Sequence, residues 1–242
     1  MKEIWQAGAV TVITATLVAC GGGGGGGSGG MSPPPAASYN LQAGIASMVA
    51  HGLSANVSLS GSVTTNGVST PFTGTGTYTL SQGASATFNG MAATAQTESI
   101  SGTIKAAGQS SPLSTSVTNY YATGSSAFLG QDEGTEFDVA QTPFDWPTSI
   151  TGGSGGPLGT VLRYSDKTMS VSMGKADVSY SVLAPVDPGS PIGVTLTTKI
   201  YDTGNNLVET DTTKYTMTSA NVISFAGATA QSSSGSLTVT TP

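Results

Sequence analysis

The sequence predicts a mainly β protein, built as an antiparallel β-sandwich or barrel with one short N-terminal helix. Apolar residues recur at every second position in several short runs, and Ser or Thr fills many of the positions between them. This period of two is typical of a strand with one buried face and one exposed face. Turn residues separate the runs roughly 8 to 14 residues apart, a spacing that indicates an all-β sandwich or barrel.

The N-terminal segment ends at the only cysteine of the chain. Residues 7–19 carry no charge and end in Leu17-Val18-Ala19, directly before Cys20. This stretch is shorter than the ~20 residues that span a bilayer core, and its length suits the apolar region of a secretory signal. The arrangement resembles the lipobox of Gram-negative bacterial lipoproteins. The resemblance implies a signal peptide over 1–19, a lipid such as palmitate on Cys20, and a cell-envelope location, with Gly21 implying the outer membrane.

A segment rich in glycine and proline, residues 20–37, follows the predicted signal. Glycine is unbroken from Gly21 to Gly27, and Pro33-Pro34-Pro35 stiffens the far end. Polyglycine has no side chains to bury, so it predicts a flexible tether with an r.m.s. reach of ~23 Å. With its single thiol lipidated, the chain has none left for a disulfide or a thiolate zinc site, and we expect no cofactor.

Residues 38–242 are predicted to form a single β-rich domain that begins with the helix. Apolar residues recur at helical spacing between Leu41 and His51, and Gly52 follows as a helix-ending residue. This pattern predicts a short amphipathic helix over those residues.

The strand predicted over 73–80 carries Gly74 and Gly76 on one face. Glycines at alternate positions leave a flat track along a sheet. We expect the helix to lie close to the sheet on this track.

Six runs have the alternation of a half-buried strand with a Ser- or Thr-rich outer face. Their apolar members are Val57, Leu59 and Val63; Ile100 and Ile104; Met169, Val171 and Met173; Val178, Tyr180 and Val182; Val194, Leu196 and Ile200; and Leu237 and Val239.

Turn residues between these runs indicate antiparallel hairpins. Asn66-Gly67 favours a type I′ hairpin turn, and a second turn is predicted over 202–206. A longer loop is predicted over 187–191. The span 124–159 lacks regular alternation and is predicted to be a long loop that divides two subdomains.

The charge distribution argues against nucleic-acid binding. The formal net charge is −6, and Lys and Arg are absent from 106–162. A nucleic-acid surface needs clustered basic residues, which this chain does not have.

The segment Gly152-Gly153-Ser154-Gly155-Gly156-Pro157 resembles the nucleophile motif of chymotrypsin-like serine proteases. The resemblance implies Ser154 as nucleophile and His51 as its base, held by an aspartate. Gly153 stands where the family has aspartate, and His51 lies in a helix-like run near the start of the domain. A serine-type hydrolase is therefore an alternative function and not the main prediction.

An acidic segment contains Asp132, Glu133, Glu136 and Asp138. Several carboxylates on one loop suit a hard cation such as Ca²⁺, although their spacing does not match an EF-hand. Glu136 and Asp138 could also act as a carboxylate pair in glycoside cleavage, with Trp146 as a sugar platform. The preferred interpretation is a solvated loop.

Tyr120, Tyr121, Phe144 and Trp146 are candidates for contact with a glycan or an envelope protein if they are exposed, and Trp146 is the first candidate for exposure. The preferred interpretation is that the aromatic residues are buried in the core of the domain. A concave groove at Trp146 would favour binding, and a buried Trp146 would favour a scaffold. The sequence thus predicts a lipid-anchored envelope protein, held to the membrane through Cys20, with a non-enzymatic binding or structural role. The alternative is an envelope hydrolase that uses Ser154 or the acids near Glu136.

Overall fold

The structure, a computed structural model, describes residues 38–185 and 189–242. The predicted signal peptide, Cys20 and the tether lie outside the described residues, as does part of the predicted loop over 187–191. The described chain forms one helix, α1 (Leu41–His51), and then these strands: β1 (Leu53–Thr65), β2 (Val68–Leu80), β3 (Ala84–Phe88), β4 (Met91–Ala106), β5 (Gln109–Ala122), β6 (Phe128–Asp132), β7 (Phe137–Phe144), β8 (Gly155–Tyr164), β9 (Ser172–Leu183), β10 (Ile192–Tyr201), β11 (Leu207–Met217), β12 (Ile223–Ser232) and β13 (Gly235–Thr240).

The strands form a closed antiparallel β-barrel. Their order is β2-β1-β13-β12-β11-β10-β9-β8-β7-β6-β5-β4, and pairing of β2 with β4 closes a ring of 12 strands. The short β3 pairs with the first half of β4, beyond the ring. The predicted mainly β fold is confirmed, and the barrel is the arrangement that the chain adopts.

Opposed residues of an antiparallel pair lie on the same face, so the registers define the barrel interior. Ala176 of β9 is opposed by Val161 of β8 and Ile200 of β10, and all three side chains are buried. The burial of five predicted inward residues confirms the alternation of their runs. These residues are Val57, Ile100, Val178, Val194 and Leu237.

Two predicted turns are also confirmed. Asn66 and Gly67 both have positive φ, at 50° and 77°, which is the backbone of a type I′ turn between β1 and β2. The Asp202 backbone N–H donates to the Asn206 carbonyl at 3.0 Å in the turn between β10 and β11.

Helix α1 begins and ends where the sequence predicts and lies across one end of the barrel. The Asn40 side chain caps its N-terminus by accepting a hydrogen bond from the Ala43 N–H at 2.9 Å. Gly52, at φ 69°, ends it by donating to the Met48 carbonyl. The Gln96 side chain, fully buried, also donates to the Met48 carbonyl, at 3.0 Å, and so ties the helix to β4.

The expected helix contact at Gly74 and Gly76 is wrong. A Cβ at Gly74 would lie 2.3 Å from the Thr103 carbonyl oxygen of β4, and one at Gly76 would lie 2.4 Å from that of Ser101. These glycines therefore allow β2 to approach β4 where the barrel closes. The helix instead packs on the start of β12, where Gly44 lies against Ile223.

The predicted long loop over 124–159 is also wrong, because β6, β7 and the start of β8 lie in it and pair within the same barrel. Pro, Gly and β-bulges interrupt the alternation there, and long-range pairing overrides the weak local pattern. The strand predicted around Met169 and Val171 is wrong as well. Met169 has φ 54°, Val171 is 57% exposed, and β9 begins at Ser172.

The hairpin of β3 and β4 folds over the outside of the barrel. Phe88 of β3 stacks on Tyr120 with ring centroids 4.5 Å apart and contacts Phe137 at 5.1 Å. Tyr120 and Phe137 are adjacent in sequence to Tyr121 and Asp138, which line the interior. Neighbouring side chains of a strand point to opposite faces, so the rings of Tyr120 and Phe137 point outward. The hairpin thus buries a second, smaller apolar cluster on the outer face.

Among the described residues, no helix has the length and apolar character needed to cross a membrane.

Candidate functional site

A cavity lies inside the barrel, beneath helix α1. Its volume is about 70 Å³. A single water molecule needs ~10–15 Å³ by this kind of measure, so the space admits several waters or a small molecule. Apolar and aromatic side chains make up most of the lining, among them Ile45 and Met48 of the helix, Phe128, Phe144 and Trp146. Polar side chains complete it, namely Glu98, Asn119, Gln131, Asp138, Thr198 and Thr213.

Asp138 of β7 is the cavity-lining carboxylate with the most incomplete hydrogen bonding. The residue is only 3% exposed. Its Oδ2 accepts a hydrogen bond from Gln131 Nε2 at 3.0 Å, while its Oδ1 accepts none from residues 38–185 or 189–242. Burial, followed by the nearby Glu136 carboxylate, raises the pKa of Asp138 well above its ordinary value. The positive charge of Arg163 opposes this shift.

Arg163 of β8 faces Asp138 across the strand pair but forms its ion pair with Glu136. Its Nε and Nη2 donate to the two carboxylate oxygens of Glu136, the second at 2.8 Å. Both side chains are largely buried, with exposures of 13% and 8%. Bidentate pairing of this kind occupies the guanidinium fork and leaves Asp138 without a strong donor.

Further carboxylates surround this pair. Asp211 of β11 is 0% exposed, and neither of its oxygens accepts a hydrogen bond within the described part of the chain. It is opposed by Thr198 of β10, whose buried hydroxyl is likewise unpartnered among the described residues. Burial, followed by the Glu209 carboxylate, raises the pKa of Asp211 well above its ordinary value. We call Glu133, Glu136, Asp138, Glu209 and Asp211 the interior acidic cluster.

Glu98 of β4 places another carboxyl group on the cavity wall. Its Oε2 accepts a hydrogen bond from Asn119 Nδ2 at 3.2 Å, and the Tyr78 hydroxyl lies beside it. Burial raises the pKa of Glu98, and the nearby Tyr78 hydroxyl and the hydrogen bond from Asn119 oppose this shift. Burial raises the pKa of Tyr78 further above its ordinary value, so this phenol remains protonated.

The aromatic residues considered for contact with a partner are not on the surface. Phe144, Trp146 and Tyr121 are buried, and all three line the cavity. Trp146 is 6% exposed, and its indole N–H donates to the Ser126 carbonyl at 3.0 Å. The fourth residue, Tyr120, is half-buried beneath Phe88. The preferred expectation of burial is thus confirmed for Phe144, Trp146 and Tyr121. Trp146, the first candidate for exposure, is buried because the end of the barrel folds over it, although it follows an exposed aspartate in the sequence.

The four residues considered for Ca²⁺ are not arranged as metal ligands. Asp132 forms an ion pair with Lys167 at 2.7 Å, and Glu136 is engaged by Arg163. In the described ranges, no group of three or more His, Cys, Asp or Glu side chains is placed to hold a metal ion. The interpretation of this segment as a solvated loop is also wrong, because Glu136 and Asp138 are buried inside the barrel.

His51 and Ser154 lie on opposite sides of the barrel. His51 ends α1, and its Nδ1 contacts the Ser47 carbonyl oxygen. The residue after it, Gly52, lies against the backbone of Leu80 in β2. The Ser154 carbonyl accepts a hydrogen bond from Val182 of β9, and its hydroxyl oxygen accepts one from the Thr151 N–H. β2 and β9 are six strands apart around the ring, so the two side chains do not form a nucleophile–base pair.

Sequence reasoning missed Glu98, Arg163, Glu209 and Asp211 as members of the site. The sequence contained an indication only for Glu98. It lies two residues before Ile100 and six before Ile104, so it points to the same face of the strand as these predicted inward residues. A carboxylate at an inward position of an apolar strand is unusual, because burying it costs free energy unless it gains a partner.

Comparison with protein-family models, with curated proteins and with solved structures found no match.

Proposed function

We propose that this protein is a non-enzymatic, lipid-anchored cell-envelope protein that binds a small molecule inside its barrel. The observation that carries the proposal is a cavity lined by two residues with buried polar atoms, Asp138 Oδ1 and Thr198 Oγ1, that have no hydrogen-bond partner among the described residues. Leaving such groups unsatisfied costs ~1–3 kcal/mol each. Burial of Trp146 by itself favours a scaffold, but Trp146 lines the cavity, and a scaffold gains nothing from the cost of unsatisfied groups. A binding protein recovers this cost when a ligand occupies the cavity.

The proposed anchor would place the barrel next to a membrane surface. Cys20 ends an apolar stretch, and the glycine-rich segment after it separates the lipid from the first described residue, Ser38. Gly21 supports the outer membrane as the location, by resemblance to the sorting of Gram-negative lipoproteins. A tether of this kind would hold the barrel near its ligand source without embedding it.

Anchoring is tested by growing cells in labelled palmitate. The wild-type band should carry the label and sediment with membranes, whereas Cys20→Ala should lose both properties. Ser28→Ala, a change in the tether away from the lipobox, is the matched control and should keep both. Label on the Cys20→Ala band, or no label on the wild type, would contradict the anchor.

Binding in the cavity is tested with the full-length lipidated protein in detergent. We expect native mass spectrometry to show a non-covalent small molecule, or a library of small amphipathic compounds to raise the Tm. Ala176→Leu adds bulk at a buried cavity wall and should abolish both effects, while Ala92→Leu on the exposed face of β4 should preserve them. A wild-type protein with neither effect, or equal effects in both variants, would contradict internal binding.

A further inference from the structure

We infer that the cavity binds a small organic cation, an amine whose ammonium group pairs with Asp138 and whose apolar part packs on the aromatic wall. This inference rests on the proposed binding function and specifies the chemistry of the ligand. It is drawn from the charge balance of the interior, the incomplete hydrogen bonding of its buried groups and the composition of its wall.

The interior has more negative than positive groups. Glu98 and Asp138 line the cavity, and the carboxylates of Glu136 and Glu133 lie close enough to Asp138 to raise its pKa. In the part of the chain that the structure describes, Arg163 is the basic side chain that faces this cluster, and Glu136 occupies its guanidinium fork. An anionic ligand would be repelled, whereas a cation would allow the buried carboxyl groups to ionise with a partner.

The unpartnered atoms point to a ligand that donates hydrogen bonds. Asp138 Oδ1 and Thr198 Oγ1 are buried, both residues line the same cavity, and no described residue satisfies either atom. An ammonium group carries up to three N–H donors, one of which would satisfy Asp138 Oδ1. A charged donor to a carboxylate forms a hydrogen bond roughly twice as strong as a neutral one.

The wall favours an organic cation over a metal ion. Phe128, Phe144, Trp146 and Tyr121 provide apolar faces next to Met48. Such faces pack against hydrocarbon and attract ammonium groups, but they offer no ligand to a hard metal ion. The described residues also lack a group of three metal-binding side chains. The cavity of about 70 Å³ limits the organic part to a small body.

The test compares three probes of similar shape and different charge, measured by calorimetry at neutral pH on the full-length lipidated protein. They are benzylammonium, benzyl alcohol and benzoate. We expect benzylammonium to bind at least about tenfold more tightly than benzyl alcohol, the factor that corresponds to one charge-assisted hydrogen bond, and benzoate to bind most weakly.

Asp138→Asn should remove the preference for benzylammonium and change benzyl alcohol binding by less than about threefold. Asp145→Asn, at an exposed carboxylate, is the charge-matched control and should change neither.

The outcomes separate the inference from the proposed function. Equal affinity for the three probes, or an unchanged preference in folded Asp138→Asn protein, would overturn the organic-cation inference while leaving internal binding in place. Displacement of benzylammonium by millimolar CaCl₂ would also overturn it in favour of an inorganic cation. Failure of all three probes and of the library screen would contradict the binding function itself. Should Asp138→Asn not fold, Glu98→Gln provides the second charge-removing variant, and its reduced preference for benzylammonium is the expected result.

Discussion

Replacing Arg163 by Met should destabilise the barrel by about 3–5 kcal/mol, the range for breaking a buried ion pair from one side. Arg163 makes two hydrogen bonds to Glu136, and both side chains are largely buried. Its removal leaves the Glu136 carboxylate beside Asp138 without a compensating charge. The destabilisation should be measured as the free energy of unfolding in urea.

Two companion variants distinguish the charge effect from lost packing. Glu136→Gln combined with Arg163→Met should recover much of the loss, because the double variant no longer buries an unpaired carboxylate. Lys175→Met removes a cation from the half-exposed pair with Asp177 and should cost less than about 1 kcal/mol. Two results would show that the ion pair does not neutralise the cluster. One is a loss of unfolding free energy in Arg163→Met no larger than that in Lys175→Met. The other is a double variant as unstable as Arg163→Met alone.

Replacing Asp211 by Asn should stabilise the ligand-free protein by about 1–3 kcal/mol at pH 8, the cost of leaving a buried polar group without a partner. Both carboxylate oxygens of Asp211 are buried and accept no hydrogen bond from the described residues. An Asn side chain carries no charge, and its amide can donate to the neighbouring Glu209 carboxylate. The substitution therefore removes the cause of the unfavourable burial and keeps the volume of the side chain.

The buried Asp211 should also make the stability of the wild type depend on pH. Because the pKa of Asp211 is raised in the folded state, that state binds the proton more tightly than the unfolded chain does. The free energy of unfolding should then fall as the pH rises from about 4, the ordinary carboxyl pKa, through the raised folded-state pKa. The slope should be at most about 1.4 kcal/mol per pH unit for each such group. Asp211→Asn should flatten this fall.

Asp202 provides a contrast on the same protein. Hydrogen bonds from Asn206 lower the pKa of this exposed carboxylate, so its contribution to stability is present above the ordinary pKa and lost as the pH falls. Asp202→Asn should therefore not flatten the loss of stability at high pH. Urea titrations between pH 4.5 and 8.5 test both variants. A wild-type stability that rises over this range, or an Asp211→Asn protein less stable than wild type at pH 8, would contradict the assignment.

Much of the secondary structure could be predicted because its causes lie within a few residues. Alternation around Val57, Val178 and Val194 predicts strands from the side-chain period alone. Asn66-Gly67 predicts a hairpin because both residues tolerate positive φ. Helix α1 follows from apolar spacing and from Gly52, which accepts the backbone conformation of a helix end.

The strands from 124 to 159 and the position of Trp146 could not be predicted in this way. Pro143 and the glycines near Gly130 weaken the alternation, and long-range pairing stabilises β6 and β7 despite this. Trp146 follows an exposed aspartate, yet Phe144 packs against it with ring centroids 6.0 Å apart and the barrel end encloses both. Burial of this kind depends on neighbours that are distant in the chain.

From residue order alone, the chain specifies its β class, its helix, its hairpins and a lipobox-like start, since each depends on local geometry or local composition. Closure of the ring and assembly of the interior acidic cluster belong to the tertiary structure. Asp138, Arg163 and Asp211 come from three different strands and approach one another only because the ring closes in one strand order and register. Glu98, from a fourth strand, joins Asp138 on the cavity wall for the same reason. A one-residue shift in the register of any of these strands would turn its charged side chain to the outer face, so no local pattern contains the site.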